Sequence, residues 1–164
     1  KCNAGDSEGC ALAAMSFTLG NNGATKDESL AIAFHRKNCE SHGEMLGCMM
    51  LASLLKKSDP EGEQRYAQRA CDGGLPVSCF SVSVKPSSKA YGVGQLVAMC
   101  DGRKAAYLGK HPERFKQSPL VVGRAAACHY LKSADPSRAS QASAAIDGLC
   151  RAGDNAACQI SYMR

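Results

Sequence analysis

Apolar residues recur at three- and four-residue intervals in short blocks along this chain, and Gly, Asn or Asp-Pro breaks separate the blocks. The pattern predicts a succession of amphipathic helices and an all-α fold. The clearest block is Gly43 to Leu55, where Met45, Leu46, Met49, Leu51, Ala52 and Leu55 line one face. Before it, Ala11 to Leu19 carries Leu12, Met15, Phe17 and Leu19 among small residues, a packed helix that the run Gly20-Asn21-Asn22-Gly23 ends. Asp27 caps a second helix with Leu30, Ile32, Ala33 and Phe34 on its apolar side. Asp59-Pro60 stops one helix and starts another, which runs to Cys71 with Tyr66, Ala67 and Ala70 inward. Asp135-Pro136 repeats that device between a helix over Val121 to Leu131 and one over Ser137 to Cys150. The middle pair, about Leu75 to Val84 and a helix ending at Cys100, is the least regular, because Gly92 and Gly94 weaken the second helix. Gln159 to Arg164 forms a terminal half-unit.

Cysteines punctuate these blocks and turn them into a repeat. One cysteine closes a helix, a short connection follows, and the next cysteine sits just inside the following helix. The recurrence predicts one repeat domain over residues 1–164, an α/α solenoid of about four helix pairs. Ten cysteines, none closer to another than eight positions, lack the close knuckles of zinc sites and fit disulfides in an oxidising compartment, periplasmic or secreted. Pairing across each connection gives Cys2–Cys10, Cys39–Cys48, Cys71–Cys79, Cys100–Cys128 and Cys150–Cys158. Residues eight or nine apart across a tight helical turn can approach to disulfide distance. Spacing leaves open the alternative set within each hairpin, 10 with 39, 48 with 71, 79 with 100 and 128 with 150. Each short loop contributes about 2.5–3 kcal/mol on the loop-entropy model. The interval from Cys100 to Cys128 is the exception. It holds an irregular insertion at about 101–120, read as one or two short helical turns, of the sort that repeat proteins project from a binding face.

The junction Ala67-QRA-Cys71-DGGLPVS-Cys79 resembles that of Sel1-like repeats, and Gly9-Cys10, Asn38-Cys39, Gly47-Cys48 and Leu149-Cys150-RAGDNAA-Cys158 resemble it too. The likeness is greatest to the disulfide-bridged variety found in the Helicobacter cysteine-rich proteins. It implies α/α hairpins, one disulfide between neighbouring units, and a right-handed superhelix related to tetratricopeptide arrays. The chain departs from the pattern where Leu-Gly and Tyr should follow the helix-opening cysteine. It departs also in loops shortened to Asp59-Pro60 or Lys85-Pro86, and in the 101–120 insertion. The resemblance implies a protein-binding module of the envelope or secreted space, without cofactor. The partner would be an envelope or host protein, or a toxin that the module blocks as an immunity protein. The family's alternative activity is penicillin binding with weak β-lactamase turnover.

Charge and chemistry narrow this further. The net charge of +5 is spread out. It suits a soluble surface or an acidic partner, without the continuous basic stripe of a nucleic-acid binder. No apolar run is long enough to span a bilayer. His35, His42, His111 and His129 lack ligand spacing and read as surface or helix-end residues, so no metal is expected. Ser41-His42, Ser81 with Ser83, and Ser53-Leu54-Leu55-Lys56 lack the companion motifs of a nucleophile. Gly92-Val93-Gly94 lacks the rest of a phosphate loop. The expectation is a monomeric non-enzyme that binds a protein through a concave face and the insertion. Tyr107, Arg114, Phe115, Arg103 and Lys104 are the contact candidates, since Tyr and Arg most often carry interface energy. Tyr91 and Tyr130 read as packing residues.

Overall fold

A computed structural model describes residues 2, 6–107 and 120–163. They form the helices α1 (Ser7–Leu19), α2 (Glu28–His42), α3 (Met45–Leu55), α4 (Pro60–Asp72), α5 (Pro76–Ser83), α6 (Lys89–Cys100), α7 (Arg124–Ala134), α8 (Ala139–Arg151) and α9 (Asn155–Tyr162). Single 3₁₀ turns at Pro86–Ser88 and Pro136–Arg138 lead into α6 and α8. No strand occurs among the described residues. The fold is all-α among the described residues, and within each of its two units helices pack on their chain neighbours, as in the hairpins of an α/α solenoid. Two compact units, Lys1–Arg69 and Ala70–Arg164, divide within α4. In the first, α2 packs on both α1 and α3. In the second, α5 meets α6 and α7, while α7 also meets α8 and α9.

Four of the helix starts, those of α1, α2, α4 and α9, share one chemical device. Asp6, Asp27, Asp59 and Asp154 each accept a hydrogen bond from the backbone N–H three residues on, at 2.7, 2.9, 2.8 and 3.0 Å. Each thereby satisfies a donor that the helix cannot. Asp135 caps its 3₁₀ turn through the Ser137 N–H and hydroxyl and binds Arg138 at 3.1 Å. Gly20 and Gly43 end α1 and α2 in the left-handed conformation. Helix α7 starts at Arg124 rather than Val121, because Gly123 at φ +89° cannot continue a right-handed helix. The terminal half-unit is a two-turn helix over Asn155–Tyr162 that buries Ala157 and Ile160.

Five disulfides form across the junctions, Cys2–Cys10, Cys39–Cys48, Cys71–Cys79, Cys100–Cys128 and Cys150–Cys158, with Cα separations of 4.2–4.8 Å. The within-hairpin set is excluded. Five crosslinks are those of an oxidising, extracytoplasmic compartment. No described helix is long and apolar enough to cross a membrane.

Side-chain placement differs from expectation in the first hairpin. Leu12 and Leu19 are 56% and 58% exposed, and Met15 and Leu30 are exposed as well. The inward side of α1 carries Cys10 and Ala14, and that of α2 carries Ala31, His35, Asn38 and Cys39. Small residues and cysteines bring these helices close, and the larger aliphatics fall on the other side. His35 is therefore a core residue, only 2% exposed, and not the surface or helix-end histidine anticipated. Phe34, the residue before it, stacks on Phe17 of α1 with ring centroids 5.6 Å apart.

In the second unit the two helix-weakening glycines have opposite roles. A Cβ at Gly92 would lie 2.6 Å from the Cys79 carbonyl oxygen and the Ser83 nitrogen, so α6 crosses directly over the α5 backbone there. Backbone atoms cannot rotate aside. Gly92→Ala gains up to about 1 kcal/mol of helix propensity but overpacks by about 3 kcal/mol, for an expected net loss of about 2 kcal/mol. Nothing lies within 4 Å of a Cβ built on Gly94, so Gly94→Ala should stabilise by about 0.5–1 kcal/mol. Urea midpoints that moved in the same direction for both variants would contradict this crossing.

Candidate functional site

The connection between α6 and α7 in the second unit is the candidate. Its first part, residues 101–107, contains no helix, and the rest of the insertion in which one or two short helical turns were expected, 108–119, lies outside the described residues. Tyr107 is held through its backbone. Its N–H donates to the Gly74 carbonyl at 2.8 Å, and its carbonyl accepts from the Gly123 N–H at 3.0 Å. Gly74, in the α4–α5 turn at φ +86°, is required for this strap, since a Cβ there would stand 2.6 Å from the Ala105 carbonyl oxygen. The two ends of the insertion are thus tied to each other and to the preceding junction. The Tyr107 side chain is half-buried.

The predicted contact residues separate into different roles. Arg103 is exposed and pairs with Asp101 at 3.1 Å, a surface ion pair of small energetic weight that leaves the guanidinium face accessible. Lys104 is committed inside the unit. Its ammonium donates to the Cys71 carbonyl at 3.3 Å and to the Gln95 side-chain oxygen. Arg114 and Phe115 lie outside the described residues. Tyr130 stacks on Phe80 with ring centroids 5.1 Å apart, a packing contact between α7 and α5. Burial raises the Tyr130 hydroxyl above its usual range. His129 meets the edge of the Tyr130 ring, and burial together with the nearby Lys132 charge holds its imidazole below the usual value. Tyr91 is exposed enough to reach solvent and bonds the Asp72 carboxylate through its hydroxyl.

Lys104 belongs to a pattern that sequence reasoning missed. Lys37 donates to the Cys2 carbonyl at 3.0 Å, Arg69 to Cys39 at 3.4 Å, and Arg124 to Cys100 at 2.7 Å. Four of the five junctions therefore place a cation on the carbonyl of the first cysteine. Three of these carbonyls lie in the last turn of a helix, or one residue short of it, where unpaired C=O groups and the macrodipole favour positive charge. Half of the pattern was legible, since Lys37 and Arg69 both stand two residues before the next helix-closing cysteine. In the second unit Lys104 and Arg124, from the two ends of the insertion, take over that task. Only the folded connection brings them there.

Two of the serines considered, Ser81 and Ser83, bond to backbone carbonyls of their own helix. The Ser83 hydroxyl donates to the Phe80 carbonyl at 2.7 Å and Ser81 to Val77 at 3.1 Å, ordinary back-bonds within a helix. Among the described residues, no group of three or more His, Cys, Asp or Glu could hold a metal ion. Comparison of the chain with protein-family models, with curated proteins and with solved structures found no match.

Proposed function

We propose that this is a disulfide-stapled α/α repeat module of the Sel1-like type that binds a partner protein in the periplasm or after secretion. The observation that carries the reading is the built anchor of the insertion. Tyr107 is strapped by backbone to Gly74 and Gly123, and Lys104 and Arg124 close both ends onto helix-terminal carbonyls. Anchors at the base of a long connection hold Tyr107 in place before a partner arrives, which lowers the ordering cost of binding there. Arg103, Tyr107, Arg114 and Phe115 are the residues that would meet the partner, an envelope protein or a toxin neutralised by occlusion. Lys104 would support the loop.

The test is capture of partners from periplasmic extract and from lysates of neighbouring strains on the oxidised protein, followed by titration of the captured partner against variants. Alanine at Tyr107 or Arg103 should weaken binding roughly ten-fold or more, the behaviour of an interface anchor. Binding that is indifferent to alanine at all four positions would move the interface elsewhere. A single stoichiometric toxin-like partner supports immunity, and several weaker envelope partners support an adaptor.

A further inference from the structure

The five disulfides are not chemically equivalent. Each helix-opening cysteine sits at the fourth or fifth position of its helix, so the helix macrodipole acts on all of them alike. Their sulfur neighbours differ. The sulfurs of Cys79, Cys128 and Cys158 lie 3.4, 3.7 and 3.5 Å from the carbonyl oxygen of the cysteine to which each is bonded. Carbonyl lone pairs there would repel a thiolate. The Cys10 sulfur instead lies 3.5 Å from Nε2 of His42, at the C-terminal end of α2. An imidazole N–H at that position can donate to a thiolate and lower its pKa. Access differs within the pair as well, for Cys10 is fully buried while Cys2 is partly exposed.

We propose that Cys2–Cys10 is the thiol-exchange site of the chain, at which a low-molecular-weight thiol attaches to Cys2 with Cys10 as the leaving group. The incoming thiolate attacks Cys2 Sγ. The Cys2–Cys10 S–S bond breaks, its electron pair remains on Cys10 Sγ, and a new disulfide joins Cys2 to the small thiol. His42 donates a hydrogen bond to the Cys10 thiolate, which makes Cys10 the better leaving group. A second thiolate then attacks the sulfur of the attached small thiol. It leaves as a disulfide, and Cys2 and Cys10 each take up one of the two protons that the incoming thiols released on forming thiolates. The sum is two thiols oxidised to one disulfide and one protein disulfide reduced to two thiols. The site belongs to the first unit and the insertion to the second, and in this reading the first hairpin carries a reversible attachment point while the other four crosslinks stay closed.

The test uses the full oxidised chain, reduced glutathione at graded concentration, alkylation to stop the exchange, and peptide mass spectrometry to place each modification. Glutathione on Cys2 with alkyl on Cys10 should appear before any of the other eight cysteines reacts. His42→Phe, which keeps a ring but removes its nitrogens, should slow that first step about ten-fold, because the leaving thiolate loses its donor. An unchanged far-UV circular dichroism spectrum shows that the variant is folded. Reduction of all five disulfides in one step would overturn the proposal, as would first reaction at another pair. An equal rate in His42→Phe would do the same, since the imidazole beside Cys10 would then play no part in the exchange.

Discussion

Replacing the Cys100–Cys128 crosslink with a pair of alanines should cost about 3.5 kcal/mol, about 1 kcal/mol more than the same treatment of Cys71–Cys79. The two bonds have similar surroundings. All four cysteines are buried, and the Cα separations are 4.8 and 4.6 Å. They differ in the chain that they close, with sequence separations of 28 and 8. A crosslink acts mainly by denying conformations to the unfolded chain, and that effect grows with the logarithm of loop length. The native contacts across the same junction, Arg124 on the Cys100 carbonyl and Gly123 on Tyr107, survive the substitution and leave the folded state in place. Denaturant titration of the two double variants reads the difference. If Cys71–Cys79 proved the costlier loss, loop entropy would not be what this crosslink supplies.

Acid should destabilise the first unit through His35. Its ring is buried, Nε2 lies 3.3 Å from the Thr18 hydroxyl, and that hydroxyl donates to the Ala14 carbonyl at 2.7 Å. The hydroxyl can therefore accept from His35, which fixes the proton on Nε2 and leaves Nδ1 buried without a hydrogen-bond partner. Burial lowers the imidazole from 6.5 to about 4. The sign follows from proton uptake. Between these values the unfolded chain binds a proton at His35 and the folded chain does not, so stability is fully present above pH 6.5 and declines as pH falls toward 4. A shift of this size corresponds to about 3 kcal/mol. His129, also lowered by burial, adds a decline of the same sign, so wild type must be compared with a variant that lacks only His35. His35→Leu should lose less stability than wild type between pH 7 and pH 4, by about 3 kcal/mol. Parallel curves for the two proteins would show that the His35 ring is not held neutral.

These two predictions rest on features that were unequally visible in the linear chain. Four of the crosslinks and the Asp-capped starts were legible because their causes are local, whereas Cys100–Cys128 spans 28 positions and was reached only through the repeat. A cysteine, a turn of seven or eight residues and another cysteine lie within reach of one another, and Asp27, Asp59 and Asp135 cap groups two or three positions away. Breaks at Gly20, Asp59-Pro60 and Asp135-Pro136 were legible for the same reason.

The face that each helix turns inward was not fixed locally in the first hairpin. Leu12, Met15 and Leu19 outweigh Cys10 and Ala14 in hydrophobicity, yet α1 and α2 approach through their small residues and leave the larger ones outside. His35 and Asn38 enter the core by the same route, since they share the side of α2 that carries Ala31 and Cys39. The roles of Lys104 and Tyr107 depended on contacts across about thirty residues, to Cys71 and Gly74, which no local spacing encodes. By itself the sequence determined the all-α class, the starts capped by Asp27, Asp59 and Asp135, and an oxidised cysteine framework. Only the tertiary structure decided which side chains are buried, which cation meets which carbonyl, and that one disulfide among five lies against an imidazole. Those depend on which surfaces of different helices meet.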